Sequence, residues 1–435
     1  MNDDIGTAAE AVRNVHKEKE AAVSAVFLSM FSGKGVVFIG PGGTGRGSMV
    51  SDVIGTVGGK VSRYMVSPTT DKEELIARVG DDSAIFVDDV FRANSGTLNG
   101  IADIMSSGRT IVIGSSSRMP SEDDEAYSLY DRFLFRASVG PLRSDEELLS
   151  FIGATEKGTL PEIRTSAGDV RKAADDVSVD DHVLSAILSL RDLFKSSGKY
   201  ISDERWKDSL YALKVAAAAA GGKSVGISYI PLLQHTLWDS PEEIDGIRAA
   251  VFDVCTPGGC ELNGLFSEAE ELLRLAVESK GLVDENAGFP RIIHCYDCNS
   301  SFPTLRRLKE HSASRPRHTY ADPHIGKDGS SQDYIKYTYE ELVTLLTSKY
   351  GWDLFKKSDD GTKEKFMNAA AALRKRKETL ENSHDGDRAK LEKELAGNFW
   401  LTGRDRKDIM TAFNLRSAKF AELGRCIADV EFILK

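Results

Sequence analysis

The fold of this chain is decided by one stretch of sequence, Gly35-Val36-Val37-Phe38-Ile39-Gly40-Pro41-Gly42-Gly43-Thr44-Gly45-Arg46-Gly47-Ser48. Residues 35–39 form a short apolar run with β-branched side chains, which predicts a buried strand. The glycines that follow, in front of a helical pattern, predict a loop that joins this strand to a helix. The backbone N–H groups of such a loop are able to wrap phosphate groups.

The loop follows the phosphate-loop template G-x-x-x-x-G-K-[ST] only in part. In the template the lysine reaches the outer phosphates and the hydroxyl holds Mg²⁺. Both anchoring glycines are present, but arginine stands at the lysine position and glycine at the hydroxyl position. We predict that the loop binds a phosphate-bearing cofactor through Gly40, Gly42, Gly43, Thr44, Gly45, Arg46, Gly47 and Ser48. The simpler alternative is a tight strand-to-helix turn without a ligand.

Two further apolar runs end in polar residues. Residues 84–87 lead into Asp88 and Asp89, and residues 110–113 lead into a Gly-Ser-Ser segment. Helical patterns at about 71–79 and 96–107 lie between the runs. Strands that alternate with helices predict an α/β fold with a parallel sheet, whose ligands sit at the carboxyl ends of the strands.

The amino-acid composition of the chain argues against some classes of function. The chain has 435 residues and a net charge of −11, with a pI near 5.4, which argues against a protein that coats nucleic acid or anionic membrane with its whole surface. No segment approaches the ~20 consecutive apolar residues that span a bilayer. The N-terminus lacks the basic start of a signal peptide, so we expect a cytoplasmic protein without a membrane partner.

The chain divides into regions of different character. We predict an α/β nucleotide-binding domain over 1–143, a helical lid over 144–253, a metal module with loops over 254–335 and a helical C-terminal region over 336–435. In the last region, residues 363–381 and 387–395 read as a helical hairpin that is broken at 383–386.

Four segments carry a family resemblance over about residues 5–250. They are Phe86-Val87-Asp88-Asp89-Val90-Phe91-Arg92-Ala93-Asn94, Leu129-Tyr130-Asp131-Arg132-Phe133-Leu134-Phe135-Arg136, Tyr200-Ile201-Ser202-Asp203-Glu204-Arg205-Trp206-Lys207 and residues 232–241. Together they resemble, in order, the Walker B, arginine-finger, sensor 2 and last lid-helix segments of MoxR-family AAA+ ATPases, especially the RavA-like branch. The resemblance implies an AAA+ fold and a ring, usually a hexamer, with ATP or ADP and Mg²⁺ between subunits.

The resemblance also implies roles for single residues. Asp88 would hold Mg²⁺, Asp89 would polarise the attacking water, and Arg132 would reach the γ-phosphate bound by the next subunit. Ser117 stands at the sensor 1 position, and Arg205 lies one place after the sensor 2 position. Such rings remodel or mature partner proteins, often beside a von Willebrand A-domain protein.

Catalytic positions depart from the family pattern. The loop has Arg46 and Gly47, and the catalytic glutamate is replaced by Asp89, which is shorter by one methylene. Asparagine is replaced by Ser117 at sensor 1, and arginine by Glu204 at sensor 2. A misplacement of about 1 Å can reduce a rate about a hundredfold. These changes leave two alternatives open, a slow ATPase and a non-hydrolysing scaffold subunit of a larger assembly.

Cysteine and histidine spacing predicts a zinc site. Cys295 and Cys298 are separated by two residues, and twelve residues lie between Cys298 and His311. This spacing resembles a two-cysteine, two-histidine zinc finger, in which Phe302 and Leu308 would form the small core. The fourth ligand departs from the usual spacing, because six residues separate His311 from His318. His324 or water could replace it.

Other interpretations of this region remain. Cys255 and Cys260 could join Cys295 and Cys298 in a four-thiolate site, or the thiols could hold no metal. Residues 291–318 carry six Lys or Arg against two acidic residues, which permits contact with nucleic acid. The residues that would read bases are Thr304, Arg307 and Glu310. One interpretation is therefore a nucleic-acid-binding ring that uses the zinc finger, and the other is a structural or protein-docking zinc module.

Overall fold

The computed structural model describes residues 3–79, 82–121, 123–153, 158–280, 288–322, 336–350, 352, 354 and 360–434. The helices are α1 (Asp3–Val15), α2 (Glu20–Ser32), α3 (Arg46–Thr56), α4 (Lys72–Val79), α5 (Ser95–Ser107), α6 (Tyr127–Arg132), α7 (Asp145–Gly153), α8 (Ala167–Asp175), α9 (Asp181–Ser196), α10 (Asp203–Ala219), α11 (Ile244–Val254), α12 (Gly259–Lys280), α13 (Leu305–Ser314), α14 (Tyr339–Ser348), α15 (Asp360–Gly397), α16 (Gly403–Asn414) and α17 (Arg416–Leu434). Short 3₁₀ helices lie at Val90–Arg92, Ile227–His235 and Pro241–Glu243.

The strands are β1 (Val36–Ile39), β2 (Val61–Met65), β3 (Ala84–Asp88), β4 (Ile111–Ser116), β5 (Phe135–Ser138), β6 (Ser178–Val179), β7 (Ser224–Val225), β8 (Gly288–His294), β9 (Ser301–Thr304), β10 (Tyr320–Ala321) and β11 (Lys336–Tyr337). The chain forms two compact units. The first comprises residues 1–260 and 387–413, and the second comprises residues 261–386 and 414–435.

A parallel sheet organises the first unit. Its order is β2-β3-β4-β1-β5, and Val36 lies opposite both Ile113 and Phe135. The strands predicted at 35–39, 84–87 and 110–113 are confirmed as β1, β3 and β4, and β2 and β5 are added at the two edges. Because parallel strands share one carboxyl edge, the loop after β1, Asp88 at the end of β3 with Asp89 after it, and the residues after β4 all lie at that edge.

Helix α2 is the central helix of the first unit. It contains the most apolar early run of the chain and is buried on all sides from Ala22 to Ser32. A helix that is apolar around its whole circumference must be enclosed by other elements. Helix α2 contacts β5 of the sheet on one side and α8 and α10 of the lid on others, so it joins the sheet to the lid.

The lid follows the sheet along the chain, as the helical pattern of 144–253 predicts. It contains α7 to α11. Residues near the C-terminus also pack in this first unit: Trp400 is 1% exposed, and its indole Nε1 donates to the carbonyl oxygen of Ala216 at 2.9 Å. The domain limits given above stay a prediction.

The predicted hairpin near the C-terminus is wrong. Helix α15 runs without interruption from Asp360 to Gly397, through the segment 383–386. Ser383 is accommodated within the helix, where its hydroxyl donates to the carbonyl oxygen of Leu380 at 3.0 Å. A single glycine in a helix costs only about 1 kcal/mol relative to alanine, which the rest of the helix can offset.

The second unit combines a small ββα arrangement with longer helices. Strands β8 and β9 pair in antiparallel fashion, and α13 follows directly. The core of this unit includes Leu273 of α12, Leu342 of α14 and Ile427 of α17. Within the described part of the chain, we find no helix with the length and apolar character that crossing a membrane requires.

Candidate functional site

The loop after β1 has a backbone that depends on glycine. Gly40 has φ +151°, and a Cβ atom at this position would lie 2.1 Å from the carbonyl oxygen of Val139. Gly45 is left-handed with φ +79° and directly precedes α3. Gly42 and Gly43 are exposed, and an added Cβ atom at either one would meet no atom within 4 Å. The loop is therefore an open cradle at a helix N-terminus, a place that favours anions.

Arg46 points back into the base of this cradle. Its guanidinium donates to the carbonyl oxygens of Gly40 at 3.1 Å and Ser116 at 3.3 Å, and the residue is 7% exposed. Burial lowers the pKa of Arg46, although Asp88 and Asp89 act in the opposite direction. The arginine at the lysine position thus links the ends of β1 and β4 and brings a positive charge beside the two aspartates.

Both aspartates after β3 have partners in the chain. Asp88 accepts a hydrogen bond from the hydroxyl of Ser115. Asp89 is left-handed with φ +55°, and its carboxylate lies 3.3 Å from a guanidinium nitrogen of Arg92. A non-glycine residue in this conformation is uncommon and often lies at a functional site. The structure therefore brings Arg46, Asp88 and Asp89 together at one end of the sheet.

Two residues predicted to be catalytic lie at the surface. Ser117 is exposed just beyond β4, whereas the neighbouring Ser115 is buried and contacts Asp88. Sequence reasoning missed Ser115. The signal that could have identified it is its place in the apolar strand β4, two residues before Ser117. Arg132 ends α6 and is exposed, and its guanidinium donates to Ser106 at 3.2 Å. The roles of Ser117 and Arg132 stay predictions.

Arg205, at the start of lid helix α10, takes part in a cluster of charges. It donates to Asp239 at 2.6 Å and pairs with Asp131 of α6. Asp239 also accepts from Arg136 at 2.5 Å and from Lys199 at 2.6 Å. Burial alone would raise the pKa of Asp239, but Arg136, Lys199 and Arg205 lower it well below its ordinary value. Arg205 is thus committed to carboxylates of the chain, and its contact with a nucleotide stays a prediction.

An arginine lies beside Gly47, which stands at the hydroxyl position of the phosphate-loop template. Arg63 of β2 donates to the carbonyl oxygen of Gly47 and, at 2.5 Å, to the hydroxyl of Ser51. Sequence reasoning missed Arg63, because the polar strand β2 lacks the apolar run that identified its neighbours.

The predicted zinc ligands converge in the second unit. The ligand atoms of Cys295, Cys298, His311 and His318 all lie within 4.8 Å of one another. The sulfur of Cys295 lies 3.3 Å from Nδ1 of His318, and the sulfur of Cys298 lies 3.3 Å from Nε2 of His311. A tetrahedral zinc ion with Zn–S of about 2.3 Å and Zn–N of about 2.0–2.1 Å places neighbouring ligand atoms roughly 3.3–3.8 Å apart. The donor set therefore fits Zn²⁺.

The ββα elements place these ligands. Cys295 and Cys298 follow β8 in a turn, His311 lies on α13, and His318 lies beyond its end. The longer spacing to His318 is accommodated because the chain turns after α13, with His318 N–H donating to the carbonyl oxygen of Arg315 at 3.0 Å. Beneath the cluster, Phe302 and Leu308 are buried at 6% and 0% exposure, as the spacing predicts.

Tyr320 supports the cluster from a position two residues beyond its last ligand, His318. Its hydroxyl lies 3.0 Å from Nδ1 of His311, which leaves Nε2 of that ring to face the metal position. The ring of Tyr320 is fully buried and contacts Phe302 with centroids 6.1 Å apart. Such outer partners orient metal-binding histidines. The spacing of zinc-finger ligands carries no signal for this residue.

The structure bears on one of the alternative ligand sets, the four-thiolate site. Cys255 and Cys260 are not in the described cluster, since their thiols contact the carbonyl oxygens of Phe252 at 3.2 Å and Val254 at 3.7 Å. Both pack with the core of the first unit. His324 lies outside the described residues.

Comparison with known proteins identifies the lid. A family model described as the AAA lid domain matches residues 182–251, which run from α9 into α11. Two uncharacterized proteins of Methanocaldococcus jannaschii, MJ0079 and MJ0812, are each 24% identical to this chain, over 279 and 278 residues. Each alignment covers 56% of this chain, and 73% and 74% of the two relatives.

A solved structure from Cytophaga hutchinsonii, described as a "putative ATPase", is 14% identical with a TM-score of 0.44 and covers 58% of this chain and 87% of that one. The parallel sheet with its glycine-rich loop and the matched lid together give this chain an α/β AAA+ fold with a helical lid.

Proposed function

We propose that this protein binds an adenine nucleotide in the loop formed by residues 40–48 and acts as a MoxR-like, ring-forming AAA+ protein with little or no ATP hydrolysis. The main support for the proposal is that the glycine cradle, Arg46, Asp88 and Asp89 lie close together at one edge of the sheet. The cradle supplies N–H donors at the start of α3, which suit phosphate groups.

We expect weak hydrolysis because the side chains that would activate water and contact the nucleotide are poorly placed for ATP cleavage. Asp89 is shorter than the expected glutamate, and Arg92 lies within 3.3 Å of its carboxylate. An attacking water held by a longer side chain would therefore be out of reach, and about 1 Å of misplacement can reduce a rate about a hundredfold. Arg205, bound to Asp131 and Asp239, would have to leave two ion pairs to contact a nucleotide.

The ring part of the proposal rests on the resemblance to MoxR proteins and on Arg132. This arginine lies at the end of α6 with its side chain exposed, so a neighbouring subunit could present its nucleotide to it. On this proposal the ring acts on a protein client, and nucleotide binding between subunits stabilises the assembly. Mass measurement of the purified protein with and without ADP tests whether a hexamer forms.

Turnover of ATP by the purified protein tests the catalytic part. We expect phosphate release by the wild-type protein to match that of Asp88→Ala, because neither hydrolyses ATP at a significant rate. Asp103→Ala is the matched control, since Asp103 is an exposed aspartate that pairs with Lys72 on the surface. Turnover that Asp88→Ala abolishes and Asp103→Ala preserves would show an active ATPase, and would contradict the proposal of weak hydrolysis.

For the second unit we propose a structural zinc module. Its convergent ligands support metal binding, and two of the three residues nominated for reading bases are already engaged by residues of α13. Thr304 caps α13 by accepting from the N–H of Arg307, and Glu310 pairs with Arg306 at 3.0 Å. These contacts favour a module that stabilises the fold or docks protein over one that reads nucleic acid. Purified protein should therefore bind duplex DNA only weakly, without the steep salt dependence of phosphate contacts.

A further inference from the structure

The position that lacks a metal-binding hydroxyl is covered by an arginine. Gly47, in the first turn of α3, accepts a hydrogen bond at its carbonyl oxygen from Arg63 on the edge strand β2. The same guanidinium donates at 2.5 Å to the hydroxyl of Ser51, one helical turn further along α3. Residues four apart share one face of a helix, so Arg63 lies along the face that begins at Gly47.

Gly47 leaves the space that Arg63 fills. A Cβ atom at this position would lie 3.0 Å from Nη1 and 3.3 Å from Cζ of Arg63. A serine or threonine here would therefore need Arg63 to move. The guanidinium therefore lies against the side of Gly47 from which a side chain at this position would project.

This arrangement does not fit the Mg²⁺ that accompanies ATP in the usual phosphate loop. That ion is held by the hydroxyl that follows the loop lysine. Gly47 offers no such oxygen, and a fixed positive charge on Arg63 next to it repels a divalent cation.

We propose that this site takes the phosphates of a metal-free nucleoside di- or triphosphate, with Arg63 in place of Mg²⁺. The inference rests on the proposed nucleotide binding. Arg63 is exposed, and a guanidinium has five N–H donors in a planar fork that suits phosphate oxygens. Its contacts to Gly47 and Ser51 hold that fork beside the cradle, and Arg46 adds a second positive charge at the base.

Equilibrium titration with a fluorescent ADP analogue, in excess Mg²⁺ and in EDTA, tests the inference on the wild-type protein and on two variants. We expect the two dissociation constants to agree within about threefold, whereas Arg63→Ala should weaken binding about tenfold in both conditions through loss of a charge-assisted contact. Lys60→Ala is the matched control, because it removes an equal charge from the exposed residue just before β2.

The double variant Arg63→Ala with Gly47→Ser restores the hydroxyl and removes the competing cation. Its binding should become tighter on addition of Mg²⁺ by about tenfold, which the wild-type protein does not show. Wild-type binding that requires Mg²⁺ overturns this inference and leaves the proposed nucleotide binding intact. Absence of binding in both conditions overturns the proposed function itself, so the two failures are distinct.

Discussion

Arg205 at the start of lid helix α10 donates to the carboxylate of Asp239 at 2.6 Å. The same carboxylate accepts from Arg136 of β5 at 2.5 Å, and the Arg136 side chain is completely buried. Removal of one member of a buried ion pair leaves an uncompensated charge, which is strongly destabilising. Asp239 therefore joins the sheet to the lid, and the nominated sensor residue Arg205 serves this junction.

Asp239→Asn should lower the free energy of unfolding by about 3 kcal/mol, since Arg136, Lys199 and Arg205 would then share no negative charge at this point. Urea unfolding at neutral pH measures the change. Glu204→Gln is the control. Glu204 is exposed on lid helix α10, next to Arg205, and this variant should change stability by less than about 0.5 kcal/mol. Equal effects of the two variants would mean that the cluster around Asp239 does not stabilise the protein.

The stabilisation by Asp239 should also depend on pH. Because its pKa in the folded protein is depressed, the contribution is present above the ordinary aspartate value near 3.9 and is lost as the pH falls below it. The difference in unfolding free energy between the wild type and Asp239→Asn should therefore shrink as the pH is lowered through about 4. A difference that stays constant down to pH values near 3 would contradict the assignment.

Gly40→Ala should be severely destabilising, by more than about 2 kcal/mol, because the added methyl group would meet the backbone of Val139 in a conformation that L residues rarely adopt. Gly42→Ala is the matched control in the same loop, where the added group meets open space, and should change stability by less than about 0.5 kcal/mol. Thermal unfolding of both variants checks the pair. Similar melting temperatures would show that the loop does not have the backbone described.

Gly386→Ala should stabilise the protein by about 0.5–1 kcal/mol, because Gly386 lies exposed inside the continuous helix α15. Gly386→Pro should destabilise it by about 3 kcal/mol for the same reason. Denaturant unfolding of both variants provides the measurement. A tolerated proline would instead support a hairpin turn at 383–386.

The purified protein should contain one zinc ion per chain by elemental analysis. His318→Ala should lose this ion, because His318 completes the set of ligands, whereas Cys260→Ser should retain it. Loss of zinc from both variants, or from neither, would contradict the ligand set.

Tyr320→Phe isolates the supporting hydrogen bond to His311 while keeping the buried ring. Loss of such an outer partner typically weakens metal affinity about 10- to 100-fold. Competition with a chelator of known zinc affinity measures the change. An unchanged affinity would mean that Tyr320 only fills the core.

The sequence predicts the elements that have strong local signals. The apolar runs of β1, β3 and β4 and the fixed spacing of the zinc ligands are visible without the structure. Strand β2 was missed because its side chains, Val-Ser-Arg-Tyr-Met, lack a buried face, so Arg63 could not be placed beside Gly47. Ser115 and Tyr320 were missed because their roles depend on contacts between residues far apart in the chain, with Asp88 and with His311.

Calorimetric titration of the purified, nucleotide-free protein with ADP tests the proposed nucleotide binding most directly. We predict saturable binding of one ADP per chain at the cradle that residues 40–48 form beside Arg46. A flat titration with folded protein, at ADP concentrations well above those in cells, would contradict the account: the loop would then be only a turn between a strand and a helix.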